Sequence, residues 1–204
     1  MKILKLHEHK PLRLGHKKVN KNKLYELENQ GQLNLFKKPG KAIKILDFGK
    51  ELTPFEIAFK ADEAENESAP EAYLKSIEQK DRVADAYCNL GIIEAKKGND
   101  IKAIDYFSRA LINDARHYET HFNLANIYFD NGNLPLAKLH YQTAIEIEPN
   151  DPNIYFNLGL VQALSGDTEE ALISLNRYVS MVDQEDSVIA RDLIDQLTLS
   201  NTTG

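Results

Sequence analysis

One period of 34 residues constrains this chain more than any other feature. Leu90, Leu124 and Leu158 recur at that spacing, and so do Gly91, Ala125 and Gly159. Ala69, Ala103, Ala137 and Ala171 follow the same rule, as do Tyr73, Phe107, Tyr141 and Leu175. Small and large residues that stay in phase over several periods mark one supersecondary unit stacked on copies of itself. Within each period the apolar residues recur every three to four positions, which is helical, and short Gly-containing turns divide the period in two. The expected fold is all-α: a right-handed α-solenoid of stacked antiparallel helix pairs.

The helix pairs are expected at residues 53–66 with 69–80, 84–97 with 100–113, 118–131 with 134–147, and 152–165 with 168–182. Thr53 followed by Pro54 reads as an N-cap with proline in the first helical turn. Gly98, Gly132 and Gly166 stand where a left-handed residue ends each first helix. Asp100, Asn133 and Asp167 then follow as candidate caps of each second helix. A last helix near 186–198, with Val188, Ile189, Leu193, Ile194 and Leu197 on one side, is expected to cover the open end, since a terminal repeat has no neighbour. The organisation read from the sequence is thus an arm over residues 1–50 and a repeat domain over 51–200, with repeats at about 53–83, 84–117, 118–151 and 152–185 and a cap at 186–198.

Charge separates these two parts. Residues 1–50 hold 13 Lys and Arg against 4 Asp and Glu, a net of +9, whereas the remaining residues hold 12 against 27, a net of −15. The arm also carries two runs of alternating apolar and polar residues, 32–36 and 42–46, around Pro39 and Gly40; they read either as a short β-hairpin or as part of a partly disordered segment. The N-terminus shows no signal-peptide pattern, and no run of 18 or more apolar residues occurs, so a cytoplasmic protein without a membrane span is expected. Cys88, the single cysteine, reads as a small helix side chain and not as a redox centre.

In phase and residue type the chain resembles the tetratricopeptide repeat family. Counted from Ala84, Tyr118 and Pro152, the family's aromatic at repeat position 4 is matched by Tyr87 and Tyr155 and replaced by His121. Its Leu and small residue at positions 7 and 8 match in all three units. Its later Ala, aromatic and Ala are Ala103, Phe107 and Ala110, then Ala137, Tyr141 and Ala144; the last unit keeps Ala171 but has Leu175 and Tyr178. Residues 53–83 look like a degenerate first repeat, with Ala69, Tyr73 and Ser76 in phase. A weaker resemblance, from Gly-Gln-Leu-x-Leu-Phe at 31–36 through Phe55 and Glu56, is to the repeat half of bacterial MerR-type regulators. The stretch before it is shorter than their DNA-binding domain, so DNA recognition is not carried over.

The family resemblance implies a protein-binding groove lined by the first helix of each pair. The groove positions are Asp85, Cys88, Asn89, Ile92 and Lys96, then Glu119, Phe122, Asn123, Asn126 and Asp130, then Asn153, Phe156, Asn157, Leu160 and Leu164. Asn89, Asn123 and Asn157, again 34 apart, would form an amide ladder that bonds a partner's peptide units or instead bonds neighbouring helices. Ile92, Phe122, Asn126, Phe156 and Leu160 complete the expected peptide-binding set, with Phe122 and Phe156 as apolar anchors. A single basic groove residue, Lys96, argues against capture of a peptide's terminal carboxylate.

His117 and His121 stand at the four-residue spacing of helical zinc ligands, but Tyr118 occupies the place of the metalloprotease glutamate, and packed histidines are expected. The acidic run at 62–67 reads as a solvated helix end. No phosphate loop, nucleophile elbow or carboxylate pair is placed by the sequence, so neither catalysis nor a metal or other cofactor is expected. The expected function is a scaffold that binds another protein. The alternative is a regulator of nucleic-acid transactions acting through the basic arm, whose lysines could contact phosphates.

Overall fold

A computed structural model describes residues 51–202, with side chains through residue 199. The described residues form helices and turns in the order α1 (Pro54–Glu63), α2 (Ala69–Glu78), α3 (Val83–Lys96), α4 (Asp100–Asn113), α5 (Tyr118–Asp130), α6 (Leu134–Ile147), α7 (Pro152–Ser165), α8 (Thr168–Val179) and α9 (Val188–Thr202). The basic arm and the hairpin expected within it lie outside the described residues.

Among the described residues four apolar clusters make the core, each built from one helix pair and the helix that follows it. Phe55, Ala58, Phe59 and Tyr73 meet Ala86 and Leu90 of α3. Ala103, Phe107 and Ala110 meet Leu124 and Ile127 of α5. Ala137, Tyr141 and Ala144 meet Ile154, Leu158 and Val161 of α7. Ala171, Leu175 and Tyr178 meet Ala190, Leu193 and Leu197 of α9. In this way α9 buries the face that a further repeat would otherwise cover, as a terminal cap must. Its register differs from expectation: Val188 and Ile189 are exposed and Ala190 takes the inward place.

Small residues sit where large ones press. A Cβ on Gly91 would lie 2.5–2.9 Å from the Phe107 ring, and one on Gly159 would lie 2.7 Å from Leu175 Cγ. Both glycines are inside helices, where they cost stability relative to alanine, so close helix approach is what they provide. In the last unit the aromatic shifts from position 24 to position 27. Leu175 fills the gap beneath Gly159, and Tyr178 tilts against Phe156 with ring centres 5.1 Å apart.

The turns agree with expectation in backbone and differ in capping. Gly98, Gly132 and Gly166 have φ of +79°, +74° and +84°. Thr53 makes a full capping box with Glu56. Asn133 caps α6 by accepting the Leu136 N–H. Asp100, however, lies inside the first turn of α4, behind Asn99, and Asp167 makes no capping bond. Asp167 instead takes the Lys138 ammonium at 2.5 Å, a stronger acceptor interaction than a neutral N–H offers. In the acidic run, Glu63, Glu65 and Glu67 are exposed as expected, but Asp62 turns inward and accepts the Tyr73 hydroxyl at 3.1 Å.

Candidate binding groove

Helices α3, α5 and α7 carry all eight residues expected to bind a peptide, and the fold does not use them alike. Phe122 and Phe156 are core residues: Phe122 meets Tyr141 edge-on at 5.7 Å, and Phe156 meets Tyr178. Leu160 is fully buried in the cluster beneath α9. Their placement follows from shape, because the hollow left by the small residues of each pair is filled by these side chains together with the aromatic of the second helix.

The asparagines are also divided. Asn89 donates its Nδ2 hydrogen to the Tyr73 hydroxyl at 2.9 Å. Asn126 Oδ1 accepts from the Tyr141 hydroxyl at 2.5 Å and from Asn157 Nδ2 at 3.1 Å, which ties α5 to α6 and α7. Asn89, Asn126 and Asn157 are fully buried. The three asparagines at 34-residue spacing therefore do not form one exposed ladder. Asn123 alone among them retains exposure, 8%, and its Nδ2 is occupied by the Glu119 carbonyl of its own helix at 2.8 Å. Asn89 Oδ1 and Asn126 Nδ2 are buried without a hydrogen-bond partner, an arrangement that costs stability unless a further group meets them.

A pocket of about 310 Å³ opens between α3 and α5, with α4 behind it. Ile92, Ala95, Phe107 and Ile127 give it apolar walls, Asn123 projects into it, and Asp100, Asp130 and Lys96 stand around it. Of the eight expected residues, the pocket thus brings together Ile92 and Asn123. Sequence reasoning missed Ala95, Asp100, Phe107 and Ile127 as lining residues, because it counted only one face of the first helices, and a groove wall also includes what shows between them.

Hydrogen bonds tie α5 to α3 near its start and to α4 near its end. At one end His117, the N-cap of α5, points Nε2 at Asp85 Oδ1 of α3, 3.2 Å away. At the other, Asn131 donates to Asp100 Oδ2 at 3.1 Å. Burial disfavours the His117 imidazolium, but Asp85, Cys88 and Glu119 outweigh it and push the pKa up to about 10.

His121 is a packed histidine, and its partner is another histidine. His121 Nδ1 and His140 Nδ1 lie 3.0 Å apart, while His121 Nε2 faces the Ala115 carbonyl at 3.2 Å. The carbonyl can only accept, so His121 carries its proton on Nε2 and takes the His140 Nδ1–H on its other nitrogen. The pair occupies the repeat positions held one period earlier by Tyr87 and Tyr106, whose rings stack at 6.3 Å. Among the described residues no three His, Cys, Asp or Glu side chains are grouped to hold a metal ion.

Comparison with known proteins agrees with this architecture. Residues 84–114 and 152–181 match the tetratricopeptide repeat, and residues 125–166 match the TPR repeat model of the same kind. Tetratricopeptide repeats are thus detected in these stretches of the chain. Human protein O-mannosyl-transferase TMTC3 is 34% identical over 118 residues, which cover 55% of this chain and 13% of that protein. The photosystem I assembly protein Ycf3 of Prochlorococcus marinus strain MED4 is 31% identical, over 46% of this chain and 56% of its own length. The chain therefore spans only part of the curated relatives it matches.

Among solved structures, the crystal structure of MamA superposes with a TM-score of 0.62 at 20% identity, covering 72% of this chain and 85% of MamA. The first TPR domain of Spaghetti (RPAP3), bound to an HSP90 peptide, superposes with a TM-score of 0.55 at 18% identity, covering 59% of this chain and 94% of that domain. These two likenesses establish the fold. The resemblance to MerR-type regulators is not supported by the comparisons. No helix among the described residues is long and apolar enough to cross a membrane.

Proposed function

We propose that this chain is a protein-interaction scaffold that holds a segment of a partner protein against α3, α5 and α7, without catalysis or a cofactor of its own, in the cytoplasm. The observation that carries this reading is the pocket between α3 and α5, where apolar walls and polar side chains meet; a neighbouring fold, the first TPR domain of Spaghetti, is bound to an HSP90 peptide. Asn123 and Ile92 are the contact residues from the expected set. Phe122, Asn157, Phe156 and Leu160 serve the groove by holding its helices in place. Lys96 is the one basic side chain among the described groove positions, so the segment is held along its length and not by its terminal carboxylate.

The test is capture of partners by the full chain from native lysate, compared with Asn123→Arg, which fills the pocket, and Ile112→Arg on an exposed site of α4. A partner lost with the first and kept with the second, with both variants melting like the parent, supports the groove. Loss with the second alone would move the binding surface to the other side of the stack.

A further inference from the structure

Resting on that reading of the groove, we infer that the pocket between α3 and α5 is a recognition site for a lysine or arginine side chain of the bound segment. A basic side chain is two parts joined end to end: an aliphatic stem that gains by burial and a charged head that must stay solvated or paired. The pocket has the same two parts. Ile92, Ala95, Ile127 and the Phe107 ring give the lining an apolar part for the stem, and Asp100 and Asp130 add carboxylates to the same lining for the head.

Backbone charge points the same way. Asp100 puts the N-terminus of α4 at this rim with its opposing partial positive charge, but Asp130 is the last residue of α5 and Lys96 the last of α3, so two helix C-termini lie there against it. The carbonyls at such ends carry partial negative charge and favour a cation. Lys96 opposes this effect with one ammonium against two carboxylates, and Asp100 shares an oxygen with Asn131. The lining thus holds more carboxylates than ammonium groups, and the net charge of −15 over residues 51–204 attracts a cation from a distance.

A labelled set of short peptides, identical except for a central lysine, norleucine or glutamate, tests the assignment on the full chain, with the methyl NMR signals of Ile92 and Ile127 as the reporter. Norleucine keeps the stem and removes the head. The expected order is lysine above norleucine by about threefold to tenfold, with glutamate weakest. The lysine advantage should shrink between about 20 mM and about 500 mM salt as screening grows. Asp130→Asn should lower the lysine affinity and leave norleucine unchanged. Equal binding of lysine and norleucine, preference for glutamate, or methyl signals that no peptide moves would each overturn the inference. Those results leave the groove reading intact if Asn123→Arg still abolishes capture. If residues 1–50 themselves displace the lysine peptide, the basic side chain recognised is this chain's own.

Discussion

Gly91 of α3 lies directly under the ring of Phe107 in α4, so close that an added Cβ would stand 2.5 Å from the ring's Cε1 atom. The same two repeat positions are Ala125 with Tyr141 and Gly159 with Leu175, all in the buried core. A methyl on Gly91 must therefore displace a rigid ring that the α5 side chains Leu124 and Ile127 hold from the other side.

Gly91→Ala should destabilise the protein although alanine is the better helix former. Overpacking of this kind costs about 1–3 kcal/mol, against a propensity gain of about 0.5–1 kcal/mol. Chemical denaturation would show a lower midpoint for Gly91→Ala, and Gly91→Ala combined with Phe107→Leu should recover part of the loss.

Phe156→Ala and Asn123→Ala should separate folding from binding. Phe156 is a core ring against Tyr178, and its truncation is expected to cost about 3–5 kcal/mol. Asn123 bonds a carbonyl of its own helix at the pocket wall, and its truncation should cost about 1 kcal/mol or less. Melting curves together with peptide titrations check this: partner affinity should fall with Asn123→Ala at nearly unchanged melting temperature.

The histidines predict a stability maximum close to pH 6.5. Burial holds the His140 pKa down to about 4, and burial, with the His117 charge adding to it, lowers His121 as well. An unfolded histidine titrates near 6.5. As pH falls below that value the unfolded chain takes up protons that the folded pair refuses, so stability is lost toward acid. His117 acts in the opposite sense. With its pKa raised to about 10, its contribution is complete below about 6.5 and is lost as pH rises toward 10. Unfolding measured across this range should show His140→Phe flattening the acid side and Asp85→Asn flattening the alkaline side, each by about 1–2 kcal/mol.

How much of this was legible in the sequence depended on whether a residue's role repeats. The helix order, the left-handed glycines and the small-against-large contacts are set by local rules and recur at 34 residues, so the period displayed them. Partners of polar groups do not follow from period alone. Asn89, Asn123 and Asn157 share a repeat position, yet one bonds a tyrosine of the preceding pair, one its own helix and one the asparagine of a neighbouring helix. Each choice depends on what the adjacent repeat presents. The pocket was hidden for a related reason: Phe107 and Ile127 read as packing residues, and a packing residue also becomes a wall wherever the side chains above it are short. One available signal went unused, since His140 stands 34 residues after Tyr106 just as His121 stands 34 after Tyr87.

The bond from His117 to Asp85 ties α5 to α3, and the bond from Asn131 to Asp100 ties the end of α5 to the start of α4 beside the pocket. A ligand entering there finds walls already set at their working separation. Little of its binding energy is then consumed in ordering the receptor, and arrival need not wait for a slow opening step. A site of this kind suits rapid exchange: a partner segment can be sampled, released and replaced without the repeats losing their stacking.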